Sequence, residues 1–235
     1  VSQFDIPGFL LWYFAFLFSI TLHEAAHAWA AYRGGDRTAY LGGQVSLNPL
    51  PHIRREPLGT VLVPIFTFFR DGWMMGWASA PYNPLWASRH PRQAGLMAAA
   101  GPASNLLIVA AVFTALKALL LMRLVEIPST FGFGRLVDPA GDGAPVWAFA
   151  ACRLASILLN LNLVFFCFNL LPLPPLDGCG IVSGLAGGRL ADVFRFLERN
   201  PPLSLLGLLL AWLVFPRLFF PVWILVLRLL YASGG

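Results

Sequence analysis

His23, Glu24 and His27 form the pattern H-E-x-x-H inside "SITLHEAAHAWAAY", residues 19–32. On a helix, residues four apart share one face, so the two imidazoles can hold a single metal ion between them. Glu24 projects beside that ion, where a carboxylate can hold and deprotonate a metal-activated water. The chemistry these residue types point to is metal-assisted hydrolysis. So short a pattern arises by chance in roughly one of a couple of hundred chains of this length. Its surroundings therefore decide its weight. The plain alternative, histidines that solvate or cap a helix, needs water around them.

The surroundings are apolar. The motif lies roughly 15 residues, or about 22 Å, into a helix-compatible run from about Gly8 to Arg33. Ionisable groups at that depth in a bilayer cost several kcal/mol unless they are paired, and they mark function. A catalytic zinc site takes three protein ligands and keeps one position open, so a third ligand is wanted. Most carboxylates (Asp5, Asp36, Glu56, Asp71, Glu126, Asp138, Asp142) fall near span ends or in connections, and Asp192 and Glu198 suit the polar side of a helix. Asp177 differs. It closes "NLLPLPPLDG" (169–178), where Pro172, Pro174 and Pro175 stop the preceding span and leave a stiff, extended segment. Gly178 then permits a turn that other residues resist. Read alone, Asp177 is equally an N-cap for the helix that follows.

The elements that must position these groups are membrane spans. Of the 235 residues, 58% are hydrophobic and only 11% charged, and the mean hydropathy is +0.71. Runs near or above the roughly 20 residues that cross a hydrocarbon core recur. Long spans are expected at about 8–33, 93–122, 145–171 and 203–231, the last interrupted by Pro216, Arg217 and Pro221 and open to a split in two. The apolar piece 57–69 is too short to cross and reads as re-entrant. Strands are expected at about 41–47 and 76–82, bounded by Gly, Pro and Asn. Residues 187–199 carry an apolar face (Leu190, Val193, Phe194, Leu197) against Arg189, Arg195 and Arg199, as an interfacial helix would. The fold class is thus an all-α polytopic membrane protein: about four long helices, a re-entrant segment and a small membrane-associated β-hairpin, in one domain over 1–235. The first span, with its His and Glu and without a basic leader, does not read as a signal peptide. Net charge +5 comes from arginines between apolar runs, a topology signal and not a nucleic-acid one. Cys152, Cys167 and Cys179 lack ligand-like spacing and read as buried thiols.

H-E-A-A-H in one span, G-P-A-S-N (101–105) in another and N-L-L-P-L-P-P-L-D-G ending a third resemble the site-2 protease family. Its members are zinc metalloproteases that cut substrates inside the membrane. "GGQVSLNPLPHI" and "GWASAPYNP" look like its small branch, which has the membrane core only. The resemblance covers about residues 10–200. It implies Zn2+ held by His23, His27 and Asp177, with Glu24 as general base. It also implies a catalytic amide at Asn169, aimed at developing negative charge; the alternative there is a helix C-cap. Asn105, His52 and Gly178 are candidates for substrate or supporting contacts. Asn105 otherwise reads as a packing position, and His52 and His90 as interfacial histidines. Cys179-Gly180 stands where the family often has Gly-Arg after the D-G pair, so a basic contact is missing.

Topology supplies a separate check. For Asp177 to join His23 and His27, the first and third long spans must run the same way, so residues 34–92 must start and finish on one side. Residues 33–93 hold seven arginines against two in 123–146, and 187–199 add three. The positive-inside rule then sets the site toward the cytoplasmic leaflet, in the cytoplasmic membrane. The expected partners are the lipid bilayer and membrane proteins with a transmembrane segment, with no nucleic acid. Rival readings are an intramembrane metal transporter or sensor, and an inactive relative that binds spans without cutting them. A metalloprotease of prenylated termini is a third, disfavoured because it takes a Glu as third ligand.

Overall fold

The structure, a computed structural model, describes residues 5–141 and 143–232, so Asp142 lies outside the described residues. Helix α1 (Ile6–Arg33) starts where Asp5 Oδ1 accepts from the Gly8 amide at 2.8 Å and stops at Gly34. Short helices α2 (Thr38–Leu41) and α3 (Leu50–Arg55) follow. A π-helical turn, Leu58–Leu62, then leads into α4 (Val63–Asp71), and α5 (Pro84–Arg89) precedes the long α6 (Pro91–Leu121). After β1 (Val125–Glu126) and β2 (Asp138–Pro139) come α7 (Val146–Asn169), α8 (Asp177–Leu185), α9 (Gly188–Glu198) and α10 (Pro201–Tyr231). Helices α1, α6, α7 and α10 are each long and apolar enough to cross a membrane, and the chain is a multi-pass membrane protein. Helix α10 runs unbroken through Pro216 and Pro221.

Pairwise contacts fix the directions. Asp5 meets Arg153, Phe16 meets Phe165 and Ser19 meets Asn162, so α1 and α7 run parallel. Helix α6 runs against them, since His23 meets Asn105 while His27 meets Met97. Residues 34–90 begin and end together, because Trp86 Nε1 donates to the Gly34 carbonyl at 2.9 Å.

Between those ends the chain makes one excursion along α1 and back. Tyr13 OH donates to the Thr60 carbonyl at 3.4 Å, and Phe69 stacks on Phe9 at 5.8 Å near the α1 N-terminus. The chain turns at Gly72, whose φ of 76° suits glycine. It then returns past Trp73, which packs with the Trp12 cluster, to Asn83, whose amide donates to Asp36 Oδ2 at 2.7 Å. Covering roughly 30 Å of α1 in about ten residues requires an extended chain. The expected strands at 41–47 and 76–82 nevertheless do not form. Residues 41–47 turn at Gly42 and Gly43, and residues 76–82 run with no partner strand alongside. The one named antiparallel pair among the described residues is β1–β2, with Val125 opposite Pro139. Arg70 also differs from expectation. It lies with Asp71 at the far tip of the excursion, which leaves six of the seven arginines of residues 33–93 at the near end.

Candidate metal centre

His23 and His27 sit on the face of α1 that packs against α6, each about 6% exposed. Their Nε2 atoms lie 3.0 Å apart. Asp177, the first residue of α8, closes the triangle: its Oδ2 is 3.2 Å from His23 Nε2 and its Oδ1 is 3.3 Å from His27 Nε2. It makes no capping bond, so the N-cap reading does not describe it. The three prolines end α7 eight residues earlier, and Gly178 allows the chain to re-enter. A Cβ at Gly178 would stand 2.4 Å from the carbonyl oxygens of Leu170 and Leu171. Helix α8 is drawn close to α6 by two glycines in backbone contact, for a Cβ at Gly184 would lie 2.5 Å from Gly95 Cα.

A relay of amides sets the proton positions on the histidines. Asn162 Nδ2 faces the Leu158 carbonyl at 2.8 Å, which can only accept, and it also donates to Ser19 Oγ at 2.8 Å. Asn162 Oδ1 is therefore the atom facing Asn105, whose Nδ2 donates to it at 2.8 Å. Asn105 Oδ1 is then the atom facing His23 Nδ1, at 2.6 Å, so Nδ1 must carry the proton. On His27, Nδ1 donates to the Met97 carbonyl at 2.8 Å. Pro102, four residues after Ala98, lacks the N–H that would bond the Ala98 carbonyl, so the ladder of α6 is interrupted one residue after Met97. Both Nε2 atoms thus turn bare lone pairs toward each other and toward a carboxylate.

Three acceptors facing inward call for a cation. Asp177 Oδ2 is buried without a hydrogen-bond donor, one of two such side-chain atoms among the described residues, the other being Thr21 Oγ1. The separations of 3.0–3.3 Å lie at or just inside the edge of about 3.3–3.6 Å that a tetrahedron with Zn–N and Zn–O bonds of roughly 2.0–2.2 Å would have. The backbone leaves room as well: a Cβ at Gly101 would come within 2.3 Å of His27 Nε2 and 2.6 Å of His23 Nε2. Nitrogen and carboxylate donors with that spacing suit zinc.

Glu24, 5% exposed, lines the same cleft as His23 and Asp177. The cleft has a volume of about 1630 Å3 and is walled largely by apolar side chains, among them the aromatic Trp12, Trp73, Phe133 and Trp223. Asn169 is on its wall too, but its amide is turned back to the Phe165 carbonyl at 3.1 Å and bonds to no residue of the triad. His52 is fully buried away from the cleft, among Gln44 and Ser46. The bonding of Asn105 to His23 places it nearer the chemistry than Asn169. Sequence reasoning missed Ser19, Asn162, Met97 and Gly101. The only signal for Asn162 was a polar residue in a span.

The model of peptidase family M50 matches residues 11–196. A Bacillus subtilis (strain 168) protein named "Putative zinc metalloprotease YwhC" is 38% identical over 169 residues, 71% of this chain and 65% of its own length. Two mycobacterial proteins with the same designation, called Rip2, are also similar. The one from Mycolicibacterium smegmatis is 30% identical over 178 residues, 74% of this chain and 57% of its own length. The one from Mycobacterium tuberculosis (strain H37Rv) is 30% identical over 162 residues, 69% and 52% respectively. The chain thus spans less than two thirds of the length of these relatives. No solved structure gives a significant match.

Proposed function

Because the chain belongs to peptidase family M50, the site-2 protease family, we propose that it hydrolyses peptide bonds in or near the transmembrane segments of membrane proteins. The observation that carries this reading is the convergence of His23, His27 and Asp177 beside Glu24 in a cleft among membrane-spanning helices. His23, His27 and Asp177 would hold zinc. Zinc bound there supplies Lewis acidity, polarising the scissile carbonyl and making water acidic enough to attack near neutral pH. Glu24 takes a proton from the attacking water as the C–O bond forms. It returns that proton to the amide nitrogen as the C–N bond breaks. The Asn105–Asn162 relay and the Met97 carbonyl keep both imidazoles in the ligating tautomer throughout.

A helical substrate has its carbonyls in internal hydrogen bonds and must unwind to be cut. Residues 76–79 line the cleft with Glu24, and the amides of Gly76, Ala78 and Ala80 donate no hydrogen bond among the described residues. An unwound substrate pairing with that free edge would regain main-chain bonds beside the site. The arginine distribution supports a site on the cytoplasmic side.

The test is cleavage of single-span substrates by the zinc-loaded chain in liposomes, native against Glu24→Gln. Products from the native chain alone support the reading. Equal cleavage by both removes the role of Glu24. A zinc-loaded native chain that cuts nothing while carrying metal across the bilayer would favour the transporter reading.

A further inference from the structure

Between Met75 and Asn83 the returning segment alternates. The amides of Met75, Trp77 and Asn83 donate to Thr67 Oγ1 at 3.0 Å, the Gly59 carbonyl at 3.1 Å and Asp36 Oδ2 at 2.7 Å, and the Ser79 carbonyl accepts from Gln44 Nε2 at 2.9 Å. All four are odd-numbered. In an extended chain the N–H and C=O of one residue leave from the same edge, and alternate residues share that edge. The odd residues therefore form a tethered back edge. Gly76, Ala78 and Ala80 form the free front edge. None of Gln44, Gly59, Thr67 or Asp36 lines the cleft, whereas residues 75–79 do.

Ser79 is the most heavily tethered of these residues. Its hydroxyl also donates to Glu56 Oε1 at 2.7 Å and accepts from Arg55 Nε at 3.0 Å. Behind Gln44, itself 2% exposed, stands His52 with no exposure at all. His52 Nε2 faces the Ser46 carbonyl at 3.4 Å, which can only accept, so that nitrogen carries the proton. His52 Nδ1 is then an acceptor, 3.4 Å from Gln44 Nε2. Gln44 thus has one N–H on His52 and the other on Ser79. Its amide cannot flip without turning an oxygen onto the Ser79 carbonyl.

We propose that His52 and Gln44 are positioning residues: a latch that holds the back edge of residues 75–80 so that its front edge meets an extended substrate beside Glu24. The proposal rests on the proteolytic reading above for the substrate, and on the hydrogen bonds alone for the latch. It assigns a role to the fully buried His52, which the metal centre leaves unused. It also makes the latch a determinant of which bond is cut, because sliding or loosening the edge changes the register of whatever pairs with it.

The experiment uses the zinc-loaded full chain in nanodiscs, as the native protein and as His52→Ala, His52→Asn and Gln44→Leu. Amide exchange across residues 75–80 is measured alongside KM, kcat and the cut position for a helical single-span substrate. In His52→Ala and Gln44→Leu, exchange speeds up, KM rises roughly tenfold with a smaller change in kcat, and cleavage spreads to neighbouring bonds. His52→Asn places an oxygen near the position of Nδ1 and restores all three. Native exchange, KM and cut position in His52→Ala would overturn the latch. So would a His52→Asn protein as impaired as His52→Ala, because the acceptor would then be irrelevant. If the native chain cuts nothing, the proteolytic reading fails, and exchange across 75–80 still decides the latch.

Discussion

Asn162 fixes the tautomer of His23 through Asn105. The carbonyl of Leu158 orients Asn162, Asn162 orients Asn105, and Asn105 leaves its oxygen 2.6 Å from His23 Nδ1. The proton that keeps His23 Nε2 free is therefore dictated from α7, one helix beyond the one that contacts the histidine. Asn162→Leu breaks this relay at its root. Zinc affinity should fall on the order of 10- to 100-fold, read by competition with a chelator, with helical content preserved. Unchanged affinity would show that Asn105 orients the histidine unaided.

Gly101 faces the Nε2 atoms of His23 and His27 and leaves space between them. Gly101→Ala puts a methyl group within 2.6 Å of both ligating nitrogens, closer than any carbon can sit. The variant should lose zinc almost completely when purified beside the native protein, as metal analysis would show. Full zinc occupancy would mean that α6 moves away from α1 at little cost.

Gly178 carries a different load. A side chain there collides with two carbonyls of the chain that ends α7. Gly178→Ala should lower stability by about 1–3 kcal/mol and displace Asp177. Denaturation in mild detergent should shift, with zinc affinity falling in parallel. Loss of stability with unchanged affinity would place the strain away from the ligand.

His52 predicts a pH dependence. Burial pushes its pKa below the ordinary histidine value, opposed in part by the Ser46 carbonyl and the charge of Glu24. The folded state prefers the neutral ring, so this contribution is intact above pH ~6.5 and is lost as pH falls through the lowered pKa. Protonation sets an N–H of His52 against the N–H of Gln44, while Arg55 and Glu56 keep their hold on the Ser79 hydroxyl. Amide exchange at 75–80 should therefore rise on acidification in the native protein and stay flat in His52→Asn. A rise of equal size in both would assign the effect to another group.

The imidazole pair and the four spans were legible in the sequence because each depends on neighbours in the chain. A spacing of four residues places His23 and His27 on one helical face wherever the helix lies, and a run of apolar residues is a property of length alone. Asp177 stood out for a local reason too, since the prolines and Gly178 around it force the chain out of a helix. Residues 76–82, within the extended return, read from the sequence as half of a strand pair with 41–47. That step failed because pairing is a long-range property: the Gly59 carbonyl and the Gln44 side chain bond one edge, and among the described residues no strand of this chain lies along the other.

The sequence by itself determined that two histidines with metal-ligand spacing lie deep in an apolar helix and that a stiff carboxylate follows a third span. Only the tertiary structure decided that these meet, that Asn162 commands the proton on His23, that Gly101 clears the space between them, and that His52 is buried against Gln44 and the Ser46 carbonyl. The reason is physical. Backbone hydrogen bonds set the pattern along one helix, whereas helix crossings and glycine contacts set distances between helices. No interval along the chain encodes those distances.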